Sequence, residues 1–256
     1  MQQRRGWMFI LFSLGFLMAE TERSWALEKL AIAAASDLKF VMDELSREFS
    51  KVHPTVELQI SYGSSGNFTA QILQGAPFDL FFSADSVYPN QLIERGVVSG
   101  EKFQYGVGQL VVWIPHSSPL DLQKMGMQTL KNPSLKKIAI ANPRHAPFGQ
   151  AALSAIKNAN VYESVKDRLV LGDNVAQAAH FLLTSTADLG VIALSLARSP
   201  KMQKAGRYWV VPPDLYTPLN QVGVLLKRNH QDVAQVFRDF ILSPPGLKTL
   251  TAHGLR

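Results

Sequence analysis

The run Leu30-Ala31-Ile32-Ala33-Ala34-Ala35 has no polar side chain, and it narrows the choice of fold more than any other stretch. A strand with one wet face alternates apolar and polar residues. A strand that is apolar at every position is covered on both faces, as in a parallel sheet flanked by helices. Leu38, Val41, Met42, Leu45 and Phe49 follow at helical spacing. The strand therefore turns directly into a helix, with Ser36-Asp37 at the junction, where Ser36 can cap the helix or, with the first-turn amides, face a ligand beyond the strand's carboxyl end.

The same construction returns. Val56, Leu58 and Ile60 alternate with Glu57 and Gln59, a second strand. Ser61-Tyr62-Gly63-Ser64-Ser65-Gly66-Asn67 follows it, and Phe68 to Leu73 reads as a short helix stopped at Gly75-Ala76-Pro77. Asp79 to Asp85 is a third buried strand ending in a polar turn, where Asp85 caps or acts as an acid. Asn90 to Arg95 is a helix. Tyr105 to Ile114 reads as one long apolar strand, long enough to leave one lobe and enter another. The middle third repeats the pattern. Lys137–Ala141 is a strand, 142–149 a loop with two prolines, and Ala151 to Ile156 helical. Asp173-Asn174 caps a helix through Leu183, and Asp188–Ala193 is again a strand. Strands at 208–211 and 221–226 flank the Pro-rich link 212–218, and a helix over 233–241 closes the chain. Two α/β lobes result, joined by a stiff double crossing near 105–109 and 218–221.

Residues 1–26 are of another kind. Arg4 and Arg5 precede the apolar run 7–19, and Ser24-Trp25-Ala26 offers small residues at a cleavage site. This pattern predicts a secretory signal peptide. The run is short for a membrane span of ~20 residues. Its charged residues leave one of the six net positive charges in the segment and five in the rest of the chain. That excess is too small and too scattered for nucleic acid. Cysteine is absent, which excludes disulfides, thiolate metal sites and cysteine catalysis.

The six histidines have no short ligand spacing, Gly63-Ser64-Ser65-Gly66 is not Gly-x-Ser-x-Gly, and no Gly-x-x-x-x-Gly-Lys-Ser/Thr occurs. What recurs is hydroxyls and first-turn amides at strand-to-helix turns: Ser36, Ser64, Ser65, the amides after Phe148, and the helix start at Asn174-Val175. Arg144 is the one arginine or lysine in these turns. Such a set binds an anion through neutral dipoles. It offers donors only, which disfavours a ligand that must donate a proton and leaves fully ionised tetrahedral dianions.

These stretches carry a resemblance. Ala33-Ala34-Ala35-Ser36, Gly63-Ser64-Ser65-Gly66 with Ala70-Gln71-Ile72, residues 75–85, Asn142 to Gly149, Asn174-Val175 and Ala187 to Ala193 are similar to the periplasmic molybdate/tungstate-binding proteins of ABC transporters. That family has the type II periplasmic binding fold of two Rossmann-like lobes with a double-strand hinge. The resemblance implies a lobe of 27–106 plus 219–256 and a second lobe of 107–218. It implies that Ser36 and Ser65 give hydroxyls and amides to the oxyanion, and that Asp37 gives its N–H with its carboxylate turned away. Phe148 and Val175 would give backbone N–H groups, with Ser64 and Asn174 in support. Molybdenum or tungsten would be held only through the oxyanion's oxygens, by Ser36, Ser65 and Val175. One branch of the family adds a tyrosine after the Leu-Gly-Val-Ile-type strand; here that position is Ala193. No cofactor is expected, and the partners are the oxyanion and an inner-membrane permease. The protein is expected in the periplasm as a monomer that is not an enzyme. Two alternatives stand beside this: a receptor for another anion such as sulfate, and an exported enzyme using Ser65 or Asp85.

Overall fold

The computed structural model describes residues 27–228 and 230–256, so the expected signal peptide lies outside the described residues. Its strands are β1 Glu28–Ala35, β2 Val56–Gly63, β3 Leu80–Ser83, β4 Val98–Gly108, β5 Leu110–Pro115, β6 Ile138–Ala141, β7 Leu169–Gly172, β8 Leu189–Ala193, β9 Gly206–Val210 and β10 Leu219–Leu226. They form two mixed sheets, ordered β2-β1-β3-β10-β4 and β7-β6-β8-β5-β9. In each sheet the first three strands run parallel, and the chain's crossing segments add antiparallel strands beside them.

The apolar β1 is central in its sheet, as its composition requires. Leu30, Ile32 and Ala34 face one layer, with Leu80 and Phe82 of β3. That layer is filled by α1 (Lys39–Val52) and by two helices introduced below. Ala33 and Phe81 face the other layer, packed against α2 (Ser65–Leu73) and α3 (Val87–Glu94). The side-chain period of two thus splits one strand between two cores. The second sheet is covered by α4 (Pro147–Asn158), α5 (Val175–Leu183) and the single turn α6 (Leu194–Ala197), around a core that includes Trp113, Ile140 and Ile156. The last two helices, α7 (Gln231–Leu242) and α8 (Pro244–Ala252), return to the first sheet. There Phe237 meets Phe49 edge-on, with ring centroids 5.0 Å apart.

The expected single strand over 105–114 is two strands. β4 ends at Gly108, pairs β10 and belongs to the first sheet. β5 begins at Leu110, pairs β8 and β9 and belongs to the second. Gln109 is the residue between them, and its side-chain amide donates to the carbonyl of Gly254 at 2.9 Å. The return crossing lies between Val210 and Leu219. Tyr216 ties it to the first crossing, because its hydroxyl accepts from Leu110 N–H at 3.2 Å.

Candidate functional site

Parallel strands in each sheet end facing the space between the two lobes, and each ends in a helix start. β1 runs into the 3-10 turn Ser36–Leu38, β2 into α2, β6 into the loop before α4, and β7 into the loop before α5. Their junctions meet at a small pocket between the lobes. From the first lobe come Ala35, Ser36, Asp37, Gly63, Ser64, Ser65 and Ala84. From the second come Ala146, Pro147, Phe148, Asn174 and Val175. Ser36, Asp37, Ser64, Ser65, Phe148, Asn174 and Val175 all line this pocket, Asp85 does not, and no lysine, arginine or histidine does. Among the described residues no group of three or more His, Cys, Asp or Glu is placed to hold a metal cation.

The donors arise from local structure. Phe148 and Val175 are the second residue of α4 and the first of α5, where backbone N–H groups precede the intrahelical ladder. Asn174 caps α5, its Oδ1 accepting from Gln177 N–H at 3.0 Å, which leaves Val175 N–H outside the cap. α4 can approach this closely because residue 149 is glycine. A Cβ there would stand 2.3 Å from the Ala141 carbonyl oxygen at the end of β6.

Ser36 does not cap the helix that follows it. Its Oγ accepts from Ala176 N–H in the first turn of α5, 3.2 Å away in the other lobe. Ser64 holds the N-cap position of α2 without capping it; its Oγ lies 2.9 Å from His145 Nδ1, again across the cleft. Ser65 is fully buried, and its Oγ accepts from Ala84 N–H at 3.1 Å. That contact fixes the hydroxyl while leaving its proton to donate elsewhere. Three adjacent serines therefore have three different partners.

Asp37 is buried in the same wall. Its Oδ2 takes a hydrogen bond from the Gln221 amide of β10 at 2.6 Å, and its Oδ1 has no partner. Burial pushes its carboxyl up to about 7, against smaller opposing contributions from the Gln221 bond and from its own backbone. The Asp37 carbonyl accepts from Ser195 Oγ of α6 at 2.8 Å, one more tie between the lobes. Asp85, an acid in the enzyme alternative, spends its Oδ1 on the N–H groups of Val87 and Tyr88 at the start of α3. Burial raises its carboxyl as well. Ala193, at the position where a tyrosine was weighed, is fully buried at the end of β8.

Sequence reasoning missed Gln221, Ser195, His145 and Asp173. Gln221 had a signal, being a polar residue in the otherwise apolar run 221–226. Ser195 lies in α6 and His145 and Asp173 in loops, and their partners across the cleft lie far away in sequence.

A family model described as bacterial extracellular solute-binding protein matches residues 30–256. The molybdate-binding protein ModA of Rhodobacter capsulatus is 37% identical over 196 residues, covering 76% of this chain and 75% of its own. The molybdate-binding protein ModA of Azotobacter vinelandii is 34% identical over 230 residues, covering 88% of this chain and 89% of its own. The solved structure of the Azotobacter vinelandii periplasmic molybdate-binding protein superposes with a TM-score of 0.82 at 29% identity, covering 89% of this chain and 98% of that one.

Proposed function

Because the chain belongs to the bacterial extracellular solute-binding proteins, and within them to the ModA family, we propose that it captures molybdate or tungstate between its two lobes and delivers it to an ABC permease. It would act as a monomer in the periplasm. One observation carries the reading: a cavity between the lobes is built from strand-to-helix junctions, with hydroxyls and first-turn amides as donors and no cationic side chain in its lining.

The chemistry follows from that donor set. Ser65 gives its hydroxyl, Phe148 and Val175 their N–H groups, and the turn at Ser36-Asp37 its amides. Each full helix start favours an anion by ~0.3–1 kcal/mol, and by up to ~2 kcal/mol where partly buried. Hydrogen bonds to a charged acceptor add ~1.5–3 kcal/mol each. A dianion with four acceptor oxygens uses all of them, whereas a protonated oxyanion brings a hydrogen that meets only donors. Asp37 is compatible with a dianion as the neutral acid, the form that its burial favours. Sulfate, equal in charge, has shorter bonds and leaves the donors of one lobe out of reach when those of the other are satisfied. Size then discriminates through the rigidity of the two junction sets.

Calorimetry with molybdate, tungstate, sulfate and phosphate tests the reading. Molybdate and tungstate are expected to bind far more tightly than the other two; sulfate binding best would overturn it.

A further inference from the structure

Beside the cavity, at the rim of the cleft, the lobes are fastened a second time. Ser64 Oγ lies 2.9 Å from His145 Nδ1, and Gly66 N–H donates to the His145 carbonyl at 2.9 Å. Asn67 Nδ2 lies 3.3 and 3.4 Å from the two carboxylate oxygens of Asp173. His145 Nε2 stands 3.6 Å from Asp173 Oδ1. Ser64, Gly66 and Asn67, all at the start of α2, thus meet both second-lobe loops, the one before α4 and the one before α5. His145, Asp173 and Asn67 do not line the cavity. The fit depends on glycine at 66: a Cβ there would stand 2.7 Å from the His145 carbonyl oxygen and 2.8 Å from the Tyr88 hydroxyl.

We infer that His145, with Asp173 beside it, is a positioning residue: a clasp that keeps the lobes shut over the anion and sets how long the anion stays, without touching it. The inference rests on the receptor reading above. The carboxylate beside Nε2 favours hydrogen on that nitrogen, so Nδ1 is the acceptor and the Ser64 hydroxyl donates to it. The Ser64 proton is then committed to the clasp, and Ser65 is the serine of α2 whose proton is left for the anion. Because these contacts join groups of opposite lobes, they exist only when the lobes are together. They stabilise the closed state and not the encounter, so their loss appears in release and not in capture.

The test is the release of isotopically labelled molybdate from the full chain into excess unlabelled molybdate, with the association rate measured alongside. His145→Ala is expected to speed release about tenfold, and Asn67→Ala several-fold, the size of one or two hydrogen bonds. Association should stay within about twofold. His145→Gln, whose amide can still take the Ser64 hydroxyl, should restore part of the slow release. Small-angle scattering of the anion-free protein should show His145→Ala more expanded than wild type. Unchanged release, or a loss confined to association, overturns the clasp, as does a lowered melting temperature with release unaltered. Failure of the wild type to hold any of the four oxyanions sinks the receptor reading instead. Scattering then decides the clasp alone, and an unchanged radius overturns it.

Discussion

The two lobes meet at one cavity with the same secondary structure and different chemistry. The first lobe presents side chains: the hydroxyls of Ser36, Ser64 and Ser65, with the carboxyl of Asp37 behind them. The second presents backbone, the amide ends of α4 and α5 at Phe148 and Val175. Buried acids divide in the same way. Asp37, Asp79 and Asp85 are all buried in the first lobe, and among the described residues the second buries none. A half-site of backbone amides is held by helix placement and tolerates almost any side chain. A half-site of hydroxyls depends on each residue and on what fixes it. The two halves should therefore fail under different substitutions.

The largest expected effect comes from the first lobe's acid. Burial raises the Asp37 carboxyl to about 7, above its unfolded value near 4. The folded protein then holds a proton that the unfolded chain has released between those values, so stability falls as pH rises through that window. The contribution is complete below about pH 4 and lost above about pH 7, and it amounts to about 4 kcal/mol. Asp37→Asn keeps the shape and the neutral state at every pH. Urea unfolding of both proteins between pH 4 and 8 should show the variant gaining on wild type by up to that amount as pH rises. Parallel curves would mean that Asp37 ionises in the folded state at no cost, and the contrast between a lobe that buries acids and one that does not would lose its energetic content.

Ser65→Ala comes next. It removes a donor to the anion and also the acceptor of a buried N–H, that of Ala84. We expect affinity for molybdate to fall by about 10- to 100-fold, the value of one hydrogen bond to a charged group. The orphaned amide should cost about 1–2 kcal/mol of stability in addition. Calorimetry and thermal unfolding read the two losses separately. Full affinity in the variant would remove Ser65 from the donor set and leave Ser36, whose Oγ also only accepts a backbone hydrogen bond, as the first lobe's hydroxyl for the anion.

The unequal legibility of the two halves has the same origin. β1 and β3 were readable because both faces are buried, and the serines because a hydroxyl at a strand-to-helix turn is visible as a letter. On the proposed reading Phe148 and Val175 act through atoms that every residue but proline has, so only the helix starts and the family resemblance could point to them. The cap that Ser36 could have made is not formed, and its contact with Ala176 N–H, 140 residues away, has no signature in the sequence. The early part of β4 was missed for a different reason. It is an edge strand, paired to β10 alone, and Ser99 to Lys102 lie at the surface. The apolar signal therefore begins only at Tyr105, which is buried.

The backbone half-site needs a substitution that deletes an N–H and little else, and Val175 permits one. It is the first residue of α5, where proline fits and its missing N–H breaks no intrahelical bond. Asn174 before it is extended, with φ −146° and ψ 174°, a conformation compatible with a following proline. The cap from Asn174 to Gln177 N–H does not involve residue 175. Val175→Pro should therefore cost the anion-free protein about as much melting temperature as Val175→Ala, since both lose a buried valine side chain, while molybdate affinity falls by about 10-fold for one lost donor of several. Val175→Ala, which keeps the amide and trims the side chain, should bind like wild type to within about twofold. The difference between those two variants measures the backbone contribution free of side-chain effects. If alanine costs as much affinity as proline, the second lobe holds its anion by packing around Val175, and the division between a side-chain lobe and a backbone lobe is wrong.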